Sequence, residues 1–148
     1  MASFKIRSLL FLLLLITVQE CRSSKCKQVT TPMCSDIIRY PVLMPNMFGH
    51  RSQDEANHVI QQYKPLISVA CSPFLKPFLC SAYFSPCTSG QPGEKRKLPC
   101  RSLCKNASAG CLTLMRSFGF EWPKDLRCDR FPEQSPTSRC IPPESFGL

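Results

Sequence analysis

Cysteine content is the feature that most constrains the fold of this chain. Eleven cysteines occur among 148 residues, a density well above that of ordinary globular domains. Such a density is typical of small secreted domains, in which disulfides compensate for a limited hydrophobic core. Cysteines also bind metals and carry out thiol redox reactions, so the compartment and the spacing of the cysteines have to decide among the three uses.

The amino-terminal segment predicts the compartment. Lys5 and Arg7 precede an apolar run over residues 9–18, in which Thr17 is the one polar residue. A positive segment followed by about ten apolar residues is the pattern of a secretory signal peptide, and this run is too short to span a bilayer comfortably. We therefore assign residues 1–23 to a signal peptide cleaved after Ser23, with cleavage a few residues earlier as the alternative.

Cleavage after residue 23 removes Cys21 and leaves ten cysteines, an even number suited to complete pairing. A retained Cys21 would be an odd thiol. The remaining chain suits one domain over residues 24–140 with a short tail over 141–148. No apolar stretch after Val18 is long enough for a membrane helix, which predicts a secreted, extracellular product.

Spacing argues against a metal site and against catalysis. Cys100 and Cys104 form a single C-x3-C pair, and His50 and His58 are the only histidines, whereas zinc sites usually combine two such pairs or alternate cysteine with histidine. The redox motif C-x-x-C and the common hydrolase, zinc-protease and phosphate-loop motifs are absent from the sequence. We predict no metal, no cofactor and no catalytic residue, and therefore disulfides.

The chain is basic, with a formal net charge of +9. Its densest basic cluster is Lys95, Arg96 and Lys97. Outside the cell the expected polyanion is a sulfated glycosaminoglycan such as heparan sulfate rather than nucleic acid. A solvated loop kept soluble by its charge and a dibasic processing site are the alternatives.

Two helices are predicted from apolar periodicity. Ser52 and Glu55 have the spacing of a capping box, and apolar residues then recur every three or four positions up to Ala70. Pro65 should bend or interrupt this first helix because it lacks a backbone N–H. The second helix should run from Cys100 to Phe118.

Other segments are shorter. A short helix is expected at about 77–83, followed by a loop over 88–99, and the prolines and β-branched residues of 26–45 favour one or two short strands. The sequon at Asn106 falls off the apolar stripe of the second helix, which predicts a glycosylation site facing water. The fold class is therefore mainly α.

Ten cysteines allow roughly 900 pairings, so spacing alone leaves the connectivity open. Together with the blocks MPNMFGH, CSPFLKPFLCSAYFSPC, PCRSLC, FGFEWP and LRCDRFPE, however, the cysteine series closely resembles the Frizzled-type cysteine-rich domain. The resemblance implies a small disulfide-rich fold of about four helices and two short strands. The five disulfides that it implies are Cys26–Cys87, Cys34–Cys80, Cys71–Cys111, Cys100–Cys140 and Cys104–Cys128.

The resemblance also implies a function, which is binding of Wnt proteins through the acyl chain that they carry. From periodicity alone, the apolar stripes of both helices would be assigned to the core. The family instead places an apolar groove between the two helices. The matching positions are Gln62, Tyr63, Pro65, Leu66, Val69, Met115, Phe118 and Phe120.

Three functional hypotheses follow. The first is a secreted Wnt-binding module that modulates Wnt signalling, most simply by inhibiting it. The second is an ectodomain fragment of a Frizzled receptor, and the third is an extracellular matrix protein acting through glycosaminoglycan at 95–97. Domains of this family also dimerise, so the resemblance includes a homodimer among the partners.

Overall fold

A computed structural model of the protein describes residues 26–88 and 95–148. The signal peptide predicted for residues 1–23, including Cys21, lies outside the described residues. So do positions 89–94 of the predicted loop.

The described chain begins with a minimal sheet. Strand β1 (Cys26–Lys27) pairs antiparallel with β2 (Val42–Leu43), with Cys26 opposite Leu43. The backbone N–H of Cys87 donates to the carbonyl of Pro41 (2.8 Å), which brings the segment around Cys87 alongside β2. Short strands of this kind gain stability only by packing on another layer, and here Val42 is buried in the core.

The first predicted helix is divided into two. Helix α1 (Gln53–Ile60) begins at Ser52, whose hydroxyl accepts a hydrogen bond from the N–H of Glu55 (3.2 Å). A single 3-10 turn, Gln61–Tyr63, separates α1 from α2 (Lys64–Ser68). Pro65 lies in the first turn of α2, where a missing N–H costs nothing. The interruption expected at Pro65 is therefore present as a break just before the proline.

Two further helices build the core. Every residue of α3 (Leu75–Tyr83) except Lys76 is buried, so this helix is the centre of the molecule. Helix α4 (Arg101–Ser117) packs one face on α3 and exposes the other. The aromatic rings of Phe78 and Phe131 meet edge to face, with centroids 5.1 Å apart, and close the core from the carboxyl-terminal side.

After α4 the chain has little regular structure. It forms three short 3-10 segments, Lys124–Leu126, Cys128–Arg130 and Pro143–Phe146. The prediction of a mainly α fold with two short strands and five disulfides is confirmed. The five disulfides join the same cysteine pairs that the resemblance implies: Cys26–Cys87, Cys34–Cys80, Cys71–Cys111, Cys100–Cys140 and Cys104–Cys128. None of the helices formed by residues 26–88 and 95–148 is sufficiently long and apolar to cross a membrane.

Candidate functional site

The most unusual surface feature is a group of large apolar side chains that remain in water. Within the described residues, four such side chains are exposed: Val69 (61%), Phe118 (71%), Phe120 (65%) and Leu148 (47%). Single exposed apolar residues need no explanation, but a concentration of them marks interaction surfaces. Three of the four belong to the set that the sequence predicts for the groove.

The end of α4 carries two of these side chains. The N–H of Phe120 donates to the carbonyl of Met115 (2.9 Å), and the N–H of Gly119 donates to the carbonyl of Arg116 (3.0 Å). Gly119 has a left-handed backbone with φ 77°. These two bonds define a Schellman motif, which satisfies the last carbonyls of a helix. The motif places Phe118 and Phe120 on either side of the glycine, at the tip of the helix.

The end of α2 repeats this motif. The N–H of Cys71 donates to the carbonyl of Leu66 (3.4 Å), and the N–H of Ala70 donates to the carbonyl of Ile67 (3.0 Å). Here the left-handed position is taken by Ala70, at φ 51°. A residue with a Cβ in this conformation costs about 1 kcal/mol relative to glycine. Sequence periodicity did not identify the left-handed conformation of Ala70, because alanine is otherwise a good helix former.

A disulfide and a glycine bring the end of α2 close to the side of α4. The Cys71–Cys111 bond holds the two Cα atoms 4.9 Å apart. A Cβ added at Gly110 would lie 2.5 Å from the carbonyl oxygen of Cys71, so the absence of a side chain there permits the close approach. Val69 precedes this junction by two residues, and Phe118 lies about 10 Å further along α4.

The other positions that the resemblance assigns to the groove differ in exposure. Met115 is only 7% exposed, and Tyr63 and Leu66 are half-buried and pack against the core. Gln62 and Pro65 are exposed. The eight predicted positions therefore comprise one buried, two half-buried and five exposed side chains.

The phenol of Tyr63 lies near that of Tyr83, and burial raises the pKa of both groups. Both groups therefore stay neutral at physiological pH, and the base of the surface carries no charge from them.

The predicted glycosylation site lies on another face. Asn106 is exposed on α4, about 18 Å along the helix from Phe118. Its sequon partner Ser108 is buried and donates a hydrogen bond to the carbonyl of Lys105 (3.2 Å). A glycan at Asn106 would leave the apolar surface uncovered.

The predicted polyanion cluster lies at the opposite end of α4. Lys95 and Lys97 are exposed, whereas Arg96 is half-buried. The Arg96 guanidinium donates to the carbonyls of Leu43 (3.2 Å) and Pro45 (2.8 Å), and burial lowers its pKa. The side chain of Arg96 therefore ties this segment to β2, so the cluster offers two free lysines rather than three free cations. Across residues 26–88 and 95–148, no three His, Cys, Asp or Glu side chains gather as a metal site would require.

Comparison with known proteins agrees with this architecture. The family model described as the Fz domain matches residues 26–135, which is most of the chain and spans nine of the ten bonded cysteines. The chain belongs to the Fz domain family.

Relatives among the Frizzled proteins are similar over most of this chain. It is 44% identical over 138 residues to Frizzled-8 of Xenopus laevis, covering 90% of this chain and 23% of the relative. It is 46% identical over 117 residues to Frizzled-8 of Homo sapiens and 44% identical over 116 residues to Frizzled-1 of Xenopus laevis, covering 78% of this chain each time. The chain spans about a fifth of the length of these relatives.

A solved structure shares the fold. The crystal structure of the Smoothened CRD aligns with a TM-score of 0.57 at 23% identity, covering 74% of this chain and 94% of that chain. At this identity the likeness concerns the fold alone.

Proposed function

We propose that this protein is an extracellular Wnt-binding module that holds the ligand's acyl chain against the apolar surface between the ends of α2 and α4. The observation that carries the proposal is the exposure of Val69, Phe118 and Phe120 at the ends of α2 and α4, two helices that the Cys71–Cys111 disulfide joins. An unliganded domain keeps such side chains in water only at a free energy cost. A bound hydrocarbon chain would remove that cost.

The magnitude of this effect is sufficient to dominate binding. Each methylene transferred out of water contributes about 0.8 kcal/mol, so a chain with about a dozen buried methylenes contributes a gross term near 10 kcal/mol. Association then subtracts several kcal/mol. One lipid therefore accounts for a large share of the affinity, and the protein contacts around it select the ligand.

The groove is tested by removing exposed apolar groups, which leaves the core intact. Phe118→Ser and Phe120→Ser should each lower the affinity for acylated Wnt by roughly 10- to 100-fold, because a fully buried phenylalanine contributes about 1.5 to 3 kcal/mol. Leu148→Ser is the matched control, since Leu148 is also an exposed large apolar residue but lies outside the predicted groove. The measurement is biolayer interferometry with immobilised variants.

A second comparison separates the lipid from the rest of the ligand. Acylated Wnt should be recovered with the protein, whereas Wnt lacking the acylated serine should not. Equal recovery of both forms, or equal losses for Phe118→Ser and Leu148→Ser, would refute the groove.

The direction of the effect follows from competition. A released domain that holds the acyl chain withholds it from every other protein that needs it, so we propose that the secreted domain inhibits Wnt signalling. The alternative is an ectodomain of a Frizzled receptor, in which the same contact starts signalling. A reporter assay with the purified domain tests inhibition, since the free domain should lower the response to added Wnt. The gene sequence downstream of Leu148 distinguishes the secreted domain from the receptor alternative.

Three further proposals concern the surface. Heparan sulfate is a second partner, supported by exposed Lys95 and Lys97. Asn106 carries a glycan, supported by its exposure away from the apolar residues. A homodimer is the third proposal, supported by the apolar side chains of Val69 and Phe118, which are exposed in the single chain.

A further inference from the structure

A pronounced basic cleft opens at the amino-terminal end of α4. One wall is the segment around Lys97, and the other is the segment from 129 to 140. Six basic side chains and one acidic side chain line the cleft. They are Lys95, Arg96, Lys97, Arg101, Arg130 and Arg139, with Asp129.

The two walls are held together rigidly. The N–H of Ile141 donates to the carbonyl of Leu98 (2.8 Å), and the N–H of Cys100 donates to the carbonyl of Ile141 (2.8 Å). The Cys100–Cys140 disulfide lies beside this bridge. Basic groups that are far apart in sequence therefore keep a fixed separation, which lowers the ordering cost of binding an extended anion.

Three of the basic side chains have structural roles. Arg130 donates to the backbone carbonyl (3.0 Å) and the carboxylate (2.8 Å) of Asp125. Arg96 binds the carbonyls of Leu43 and Pro45. Arg101 donates from Nε to the carbonyls of Cys128 and Phe131 (both 3.1 Å) and is paired with a glutamate. Such anchoring fixes the walls and partly neutralises them.

The remaining cations are free to meet a ligand. Lys95, Lys97 and Arg139 are exposed, and no carboxylate of the described residues forms a salt bridge with them. Exposure alternates along the first wall, because Lys95 and Lys97 face outward while Arg96 and Leu98 turn inward. Helix α4 also begins here without an acidic residue in its first turn, so its positive end adds to the field.

We infer that this cleft binds a linear sulfated polysaccharide across both walls, through Lys95 and Lys97 on one side and Arg139 on the other. Five disulfides indicate an oxidising, extracellular setting, where such polymers are the abundant polyanions. The inference deepens the proposed heparan sulfate contact and does not depend on the acyl groove. Arg101 and Phe118 lie at opposite ends of α4, about 25 Å apart, so both ligands bind at once.

Heparin oligosaccharide is the probe, and affinity is measured by isothermal titration calorimetry at several salt concentrations. The double variant Lys95→Ala/Lys97→Ala should lose roughly tenfold in affinity, with a shallower salt dependence, and Arg139→Ala should lose roughly threefold. Lys105→Ala/Lys124→Ala is the charge-matched control, because both lysines are exposed outside the cleft. The control should stay within roughly twofold of the parent protein.

Three results would overturn the inference. Equal losses for the two double variants would show that net charge alone attracts heparin. An unchanged affinity for Arg139→Ala would show that the second wall does not participate. Binding to vesicles containing phosphatidylserine without binding to heparin would assign the cleft to a membrane surface.

A separate experiment tests whether the basic cleft and the acyl groove bind their ligands independently. Saturating heparin should leave the affinity for a fluorescent long-chain acyl probe unchanged, since coupling between sites is reciprocal and no shared residue transmits it. Competition between heparin and the acyl probe would contradict the separation of the sites. Heparin binding without any uptake of acyl probe would refute the groove and support the cleft. Uptake of acyl probe without heparin binding would refute the cleft and support the groove.

Discussion

The two ends of helix α4 present opposite chemistry. At its carboxyl-terminal end, Phe118 and Phe120 expose aromatic rings to water. At its amino-terminal end, the cleft exposes Lys95, Lys97 and Arg139. One rigid helix therefore separates an apolar surface suited to a hydrocarbon chain from a basic surface suited to a polyanion.

Three disulfides join α4 and its N-cap residue to other segments, and two of them can be matched to the two surfaces. Cys71–Cys111 serves the apolar end and Cys100–Cys140 the basic end, and both bridges span 40 residues with Cα atoms 4.9 Å apart. The cross-links are therefore matched in loop length, which sets their chain-entropy contribution. The difference between the two ends lies in the side chains that each bridge positions.

Removing either bridge gives the largest expected effect. Cys71→Ala/Cys111→Ala and Cys100→Ala/Cys140→Ala should each lower the free energy of unfolding by about 3 to 4 kcal/mol, because a 40-residue loop is released. Alanine avoids leaving a hydroxyl in the core. Urea unfolding followed by circular dichroism measures the change.

The ligand assays should then separate the two variants. In conditions where both remain folded, the variant without Cys71–Cys111 should lose acyl-probe binding and keep heparin, and the other should lose heparin and keep the acyl probe. A common loss of the same ligand would contradict the assignment of one bridge to each end.

The close approach of Cys71 to Gly110 gives the second-largest expected change in the free energy of unfolding. Helix propensity alone predicts that Gly110→Ala stabilises α4 by about 1 kcal/mol. The added Cβ would instead lie 2.5 Å from the carbonyl oxygen of Cys71, and overpacking typically costs 1 to 3 kcal/mol. We expect a net destabilisation of about 1 to 2 kcal/mol.

The sign of this change is the informative result. Thr113→Ala, on the exposed side of α4, is the control and should stabilise by a few tenths of a kcal/mol. A stabilised Gly110→Ala variant would mean that the 71–72 segment lies farther from α4 than the structure shows.

Substitutions at the left-handed residues of the two Schellman motifs should give the smallest changes in the free energy of unfolding, and the two changes should have opposite signs. Gly119→Ala places a Cβ at φ 77° and should destabilise by about 1 kcal/mol, whereas Ala70→Gly relieves φ 51° and should stabilise by up to about 1 kcal/mol. Each measurement controls the other, because both positions follow a helix that borders the apolar surface. Equal signs would contradict the left-handed conformation at one of them.

Local patterns accounted for much of the secondary structure. The capping box at Ser52 and the apolar stripe of α4 fixed where those helices lie, and Pro65 marked the break between α1 and α2. These features depend on hydrogen bonds and side-chain spacing within a few residues, so a single sequence contains the information.

Exposure was harder to predict. Met115 and Phe118 share one stripe, yet Met115 is buried and Phe118 is exposed. Periodicity cannot distinguish them, because burial depends on which distant segment covers each turn. The family resemblance supplied the groove positions, and it did not supply the left-handed Ala70 or the engagement of Arg96 with β2.

The sequence by itself determined an oxidised, cysteine-rich, mainly helical domain with a basic charge, since composition, apolar period and proline placement act locally. Only the tertiary structure decided which apolar residues stay in water, which basic residues remain free and that the two surfaces occupy opposite ends of α4. The physical reason is that burial, side-chain anchoring and close approach are set by segments that the chain brings together from distant positions, such as 71 with 111, 100 with 140 and 43 with 96.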